Sequence, residues 1–163
     1  MVKYHTTKNP SQTGKLGEKL AKEILMKKPR ARDFVTVRGR SKKAVVVGLV
    51  GELGGGKTTF LQGFAKGLGI KEKILSPTFV IMRKSKIPSP KSEYKDFYHV
   101  DCYRIQKTRE ILPLRLREIL SRPENIVAIE WADKIKGILP GNSIAVKFSF
   151  IDEKTRRIII KYP

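Results

Sequence analysis

The sequence predicts one α/β domain on a mixed sheet, parallel at its centre and antiparallel at its flanks. Three observations lead there. The apolar run AVVVGLV at 44–50 passes directly into GELGGGKT at 51–58 and then into a stretch of helical periodicity. A second short apolar run at 126–130, ending in Glu130, has the composition of a buried central strand. Strand-like segments at 79–87 and 94–105, and again at 143–151 and 156–162, are separated by short breaks suited to hairpins. A chain of 163 residues is long enough for one such domain over 1–163 and leaves no room for a separate catalytic one.

The elements follow in order. Residues 4–8 suit a short edge strand. Asn9 and Pro10 then read as a helix start, with a side-chain cap, Pro in the first turn and Gln12 at the capping-box position. Leu16, Leu20, Ala21, Ile24 and Leu25 recur at helical spacing up to Pro29. After the glycine-rich loop, Phe60, Leu61, Phe64, Ala65 and Leu68 define a second helix face that Gly69 terminates. PSPKS breaks the first hairpin, and Pro113 moves the next helix to 114–120. DEKT joins the last two strands, and no internal repeat or low-complexity tract occurs.

GELGGGKT is a phosphate-binding pattern between a strand and a helix, and each of its positions has a physical cause. Gly51, Gly54, Gly55 and Gly56 permit backbone dihedrals that turn successive N–H groups inward around phosphate oxygens. Lys57 supplies a mobile point charge. Thr58 sets a hydroxyl where a phosphate-bound Mg²⁺ sits, and the helix start adds unpaired N–H groups and a positive dipole end. A nucleoside triphosphate is the implied ligand.

Composition narrows the partners. Lys and Arg number 35 against 15 Asp and Glu, a net charge of +20 that draws the protein toward polyanions, nucleic acid first. The densest basic segment, 27–43, reads either as a tracker of phosphate backbone or as a solvated connector. One cysteine, Cys102, excludes an internal disulfide, and no signal-like or membrane-length apolar run appears, so the expectation is a cytoplasmic protein without a membrane partner.

Hydrolysis also needs a held metal and a placed water, and acids at strand ends supply both. Glu130 matches a metal-side acid. Asp101, within a strand where an acid is disfavoured, suits orientation of the attacking water or of a metal-bound water, or else an ordinary ion pair with Arg104 or a lysine. Ser76, Pro77 and Thr78 read locally as a turn before a strand. His5 and His99 are isolated, and His99 reads as a strand residue rather than a catalyst.

Taken together, GELGGGKTTFLQGFAKGLGI, SPTF, YHVDCYRI, AIEWADKI and ILP resemble, in order and spacing over about 8–156, the bacterial TsaE family of small phosphate-loop ATPases. That resemblance implies a mixed sheet and a function in forming threonylcarbamoyladenosine on tRNA. It gives Lys57 to the phosphates of ATP, Thr58 and Glu130 to Mg²⁺, and the loop glycines and Thr59 to the nucleotide. It makes Asp101 and Glu130 essential for hydrolysis, Thr78 a switch-like residue and Trp131 a neighbour of the site. Ser11 and Arg156 resemble the family's contacts at the other end of the nucleotide. It also implies TsaD-like and TsaB-like partners whose complex is reset by ATP hydrolysis, with tRNA contacted directly or through them.

Two departures stand out: the basic insertion at about 29–43, and basic residues after YHVDCYR where the family commonly has acids. Both bear on docking rather than on ATP. Other function classes remain: a small-molecule kinase, though no acceptor domain or Arg-rich lid is evident, and a nucleotide-gated RNA-binding module. A GTPase is disfavoured because no AsnLysXaaAsp guanine-reading sequence occurs.

Overall fold

The computed structural model describes residues 1–26, 43–74, 81–90 and 92–163. The basic segment apart from Lys43, and the turn with Ser76, Pro77 and Thr78, lie outside the described residues. Strand β1 is Val2–Thr7 and helix α1 is Pro10–Met26. Asn9 caps α1 as expected, its Oδ1 accepting the Gln12 N–H at 2.9 Å. Gln12 reaches one residue beyond a capping box, its Oε1 accepting the Lys8 N–H at 2.7 Å, which ties the helix start to the end of β1.

Strand β2 (Val45–Val50) leads through the glycine-rich loop to α2 (Lys57–Gly67), whose buried face carries Phe60, Leu61, Phe64 and Ala65. Gly69, at φ +82, takes the left-handed turn that ends this helix. There follow β3 (Met82–Lys86), β4 (Asp96–Asp101), α3 (Leu116–Ser121), β5 (Asn125–Glu130), β6 (Ile144–Phe150) and β7 (Arg156–Lys161). They form one seven-stranded sheet ordered β1-β7-β6-β2-β5-β4-β3. The four inner strands β6, β2, β5 and β4 are parallel. β3 pairs antiparallel with β4, β7 with β6, and β1 with β7, so the mixed α/β architecture is as predicted.

Local chemistry moves several boundaries. β4 stops at Asp101 rather than near 105, because the Asp101 Oδ1 accepts the Tyr103 N–H at 2.8 Å and turns the chain out of the ladder. Pro113 sits inside a 3₁₀ run, Thr108–Leu114, and Arg115 at φ 49 separates that run from α3. A second 3₁₀ run, Ala132–Ile138, kinked at Ile135, occupies a stretch the sequence left without an element. Among the described residues no helix is long and apolar enough to cross a membrane.

α1 and α2 cover one sheet face, over Val47, Leu49, Ile126, Ala128 and Phe97. The 3₁₀ runs and α3 cover the other, with Ile111, Leu116 and Ile135 packed on Val46, Val127 and Ile129. The two helices meet through glycine. A Cβ on Gly63 would lie 1.9 Å from the Gly14 carbonyl oxygen, and one on Gly17 would lie 2.1 Å from that of Phe60. The backbones touch, and this contact fixes where α2 begins.

Gly63→Ala must therefore part the helices. Overpacking of this kind costs about 1–3 kcal/mol, or roughly 2–12 °C in Tm for a chain of this size. Gly137, where an added Cβ meets nothing within 4 Å, serves as the control, and its alanine variant is expected to melt with the unaltered protein in a thermal denaturation scan.

Candidate functional site

The glycine-rich loop depends on backbone freedom at two positions above all. Gly56, at φ +98, is the residue before α2, and Gly51, at φ +146, approaches so closely that a Cβ would lie 2.6 Å from the Phe148 carbonyl oxygen. α2 has no side-chain cap and no acid in its first turn. Its first N–H groups and positive dipole end stand beside a cleft of about 540 Å³, lined by the loop and by Asp101, Glu130 and Trp131. A helix N-terminus in this state suits an anion.

Lys57 is 5% exposed, folded back over its own loop. Its Nζ donates to the carbonyls of Gly51 at 2.8 Å and Glu52 at 2.7 Å, and lies 4.1 Å from the centroid of the Trp131 ring. Burial lowers the pKa of this ammonium below the ordinary lysine value, while the carboxylates of Glu130, Asp101 and Asp133 pull the other way. Trp131 reaches its place by a left-handed backbone, φ 58 and ψ 42, which costs a residue with a Cβ about 1–2 kcal/mol. That conformation turns the chain from β5 into the second 3₁₀ run.

Glu130, the last residue of β5, is 2% exposed. The Thr58 hydroxyl donates to its carboxylate, 3.1 Å from Oε2 and 3.3 Å from Oε1. His99 of β4 holds the same group, its Nε2 3.0 Å from Oε1. Asp101 pairs with Glu130 across the β4–β5 ladder and lines the cleft beside it. Among the described residues no cluster of three or more His, Cys, Asp or Glu forms a cation cage. A hydroxyl and a carboxylate this close are both hard oxygen donors, the donor chemistry that would suit Mg²⁺. Cys102, next to Asp101, is buried, and desolvation pushes its thiol up to about 12, so it is inert.

A second cleft, about 390 Å³, adjoins the first over Gly54, Gly56 and Thr59. It is also lined by Asn9, Pro10 and Thr13 at the start of α1 and by Glu153, Lys154 and Arg156. The Arg156 guanidinium is held at 4.0 Å over the Phe150 ring, and its Nη1 donates to the Asp152 carbonyl at 2.8 Å.

The structure thus gathers Gly54, Gly55, Gly56, Lys57, Thr58 and Thr59 with Asp101, Glu130 and Trp131 around one cleft. Gly51 acts from beneath as an acceptor for Lys57, and Arg156 lines the adjoining cleft. Ser11 is exposed in the first turn of α1 and lines neither cleft, its place there taken by Asn9 and Thr13. Tyr103 and Arg104 also line the main cleft, and sequence reasoning missed both. It also missed the hold of His99 on Glu130. The available signal was the period of two that puts Phe97, His99 and Asp101 on one face of β4.

The family model described as "Threonylcarbamoyl adenosine biosynthesis protein TsaE" matches residues 7–158. The chain belongs to the TsaE family. Among TsaE relatives, the tRNA threonylcarbamoyladenosine biosynthesis protein TsaE of Haemophilus influenzae (strain ATCC 51907 / DSM 11121 / KW20 / Rd) is 32% identical over 73% of this chain and 72% of its own. Those of Nostoc sp. (strain PCC 7120 / SAG 25.82 / UTEX 2576) and Bacillus subtilis (strain 168) are 38% and 34% identical, over 69% and 72% of this chain and 67% and 70% of theirs. The fold is similar to a crystal structure of Bacillus subtilis YdiB, with a TM-score of 0.66, 24% identity, and coverage of 99% of this chain and 86% of that one.

The contact between Lys57 and Trp131 generates a spectroscopic prediction for this TsaE chain. Trp131 is its one tryptophan, so an anion that draws the ammonium off the ring is expected to change the emission. ATP titrated against the unaltered protein should give a saturable fluorescence change. Lys57→Met should abolish the contact and weaken binding roughly 100-fold, the scale of one charge-assisted bond. A Lys57→Met titration curve that overlays the original would sink this account of the cleft.

Proposed function

We propose that this protein is a Mg²⁺-dependent ATPase, slow by itself, that works with TsaD-like and TsaB-like proteins in forming threonylcarbamoyladenosine on tRNA. Its ATP hydrolysis resets their complex between turnovers. Family membership supports the pathway, as do the printed names of the relatives. The observation that carries the ATPase reading is the meeting, in one cleft, of the uncapped start of α2, the Lys57 ammonium and the Thr58–Glu130 pair.

On this reading the loop N–H groups and Lys57 bind the triphosphate, Lys57 leaving the carbonyls of Gly51 and Glu52 for phosphate oxygens. Thr58 and Glu130 hold Mg²⁺, which when bound neutralises charge on the phosphates. Asp101 orients a water in line with the γ-phosphorus. As the water oxygen bonds to phosphorus, the bridging bond to the β-phosphate breaks, and the proton leaves with the phosphate product. The loop dipoles need no rearrangement as charge develops. Asn9, Thr13 and Arg156 receive the nucleoside end. Turnover by the protein alone is expected to be slow if the attacking water is fixed only when a partner protein covers the half-buried Asp101.

Asp101→Asn and Glu130→Gln keep shape and remove charge. Each is expected to lower ATP hydrolysis roughly 100-fold or more. In Asp101→Asn, nucleotide affinity should stay within a few-fold, and threonylcarbamoyladenosine formation in a mixture with the partner proteins should fail. Rapid ATP turnover by the protein alone, indifferent to added partners, overturns the reset role. Stoichiometric appearance of a phosphorylated metabolite would favour a kinase instead.

A further inference from the structure

His99 is 1% exposed, on the sheet face that α2 covers. Its neighbours on that face of β4 are Phe97 and Asp101, and the register sets it opposite Ala128, two residues before Glu130. A buried imidazole needs a partner, and the Glu130 Oε1 at 3.0 Å supplies one. A carboxylate only accepts, so Nε2 is the donor. Among the described residues Nδ1 has no hydrogen-bond partner, which is less costly for a bare lone pair than for an N–H.

This leaves the Glu130 carboxylate gripped from two sides. The imidazole holds Oε1 from within the sheet, and the Thr58 hydroxyl approaches both oxygens, nearer Oε2. Thr58 belongs to the loop end of α2, whereas His99 is fixed by ladder bonds of a central strand. Of the two, only His99 can keep the carboxylate aimed when the Thr58 hydroxyl turns to a new ligand.

We propose that His99 is a positioning residue that fixes the Glu130 carboxylate for the metal ion accompanying the nucleotide. The inference rests on the nucleotide reading above. Its signature is a split: loss of the imidazole weakens the response to Mg²⁺ and leaves metal-free nucleotide binding intact.

The test uses the full chain and the Trp131 emission, with ATP titrated in EDTA and Mg²⁺ then titrated at fixed ATP. In His99→Leu, which keeps bulk and drops the donor, ATP affinity in EDTA should stay within twofold and the Mg²⁺ concentration for half-saturation should rise roughly 10-fold or more. His99→Gln, whose amide nitrogen reaches the former position of Nε2, should return to within about threefold of the unaltered protein. Should the leucine variant fail to fold, His99→Asn, whose shorter amide falls short of Glu130, takes its place. Half-saturation within twofold of the original in the donor-less variant, or no recovery in His99→Gln, overturns the role of His99. A nucleotide response in the unaltered protein that ignores Mg²⁺ also overturns it while sparing nucleotide binding. No response to ATP at all overturns the nucleotide reading, and the inference with it.

Discussion

Leu49 of β2, Glu130 of β5 and Asp101 of β4 stand in one row across three parallel strands, and this hydrogen-bonded register is the constraint on which the site depends. Parallel strands end on the same side, so the row brings the start of the glycine-rich loop and two acids to one edge of the sheet. Side chains alternate along a strand, and a slip of one residue in β5 would send Glu130 to the opposite face, away from Thr58. The buried alternation guards against that slip. Ile126 and Ala128 pack under the helices, while Val127 and Ile129 pack under the 3₁₀ runs.

The second coordinate comes from the helices. Thr58 meets Glu130 only if α2 starts at the right height, and backbone contact with α1 through Gly17 and Gly63 sets that height. Because α1 is anchored by Asn9 and by the Gln12–Lys8 bond to the end of β1, an edge strand three places from β2 in the sheet helps to place the loop. Packing and polar geometry are therefore one arrangement here. Moving α2 outward would remove the hydroxyl partner of a carboxylate that is almost wholly buried, and buried carboxylates tolerate that poorly.

Much of this was legible in the sequence because it is written in periodic or strongly typed residues. The run into GELGGGKT, the apolar face of α2, and Glu130 at the end of an apolar strand each carry their own signal. The 3₁₀ runs do not. Pro113 argues against an α-helix yet is tolerated where bonds close at i+3, and Ala132–Ile138 is too short and kinked to show a period. The end of β4 turned on one side-chain bond from Asp101, a detail below the resolution of strand propensity. The strand period put His99 on the face of Asp101 but could not name its partner. Its partner is 31 residues away, and only the β4–β5 pairing makes them neighbours. Ser11 shows the converse limit: the start of α1 does line the second cleft, through Asn9, Pro10 and Thr13, but sequence alone does not say which first-turn residue faces it.

The charge of the whole chain is strongly positive, whereas that of the cleft is mixed, with Lys57 and Arg104 set beside Asp101 and Glu130. With 35 basic residues against 15 acids the surface attracts polyanions from a distance. Yet Lys57, the cation at the centre, lies among Glu130, Asp101 and Asp133, whose fields favour its charged form. A triphosphate drawn in by the outer field would meet the Asp101 and Glu130 carboxylates beside Lys57 and Arg104. On the proposed reading this makes the divalent cation part of recognition as well as of catalysis, because the carboxylate that repels bare phosphate attracts phosphate paired with Mg²⁺. The excess positive charge then governs encounter, and the cleft carboxylates govern which anion stays.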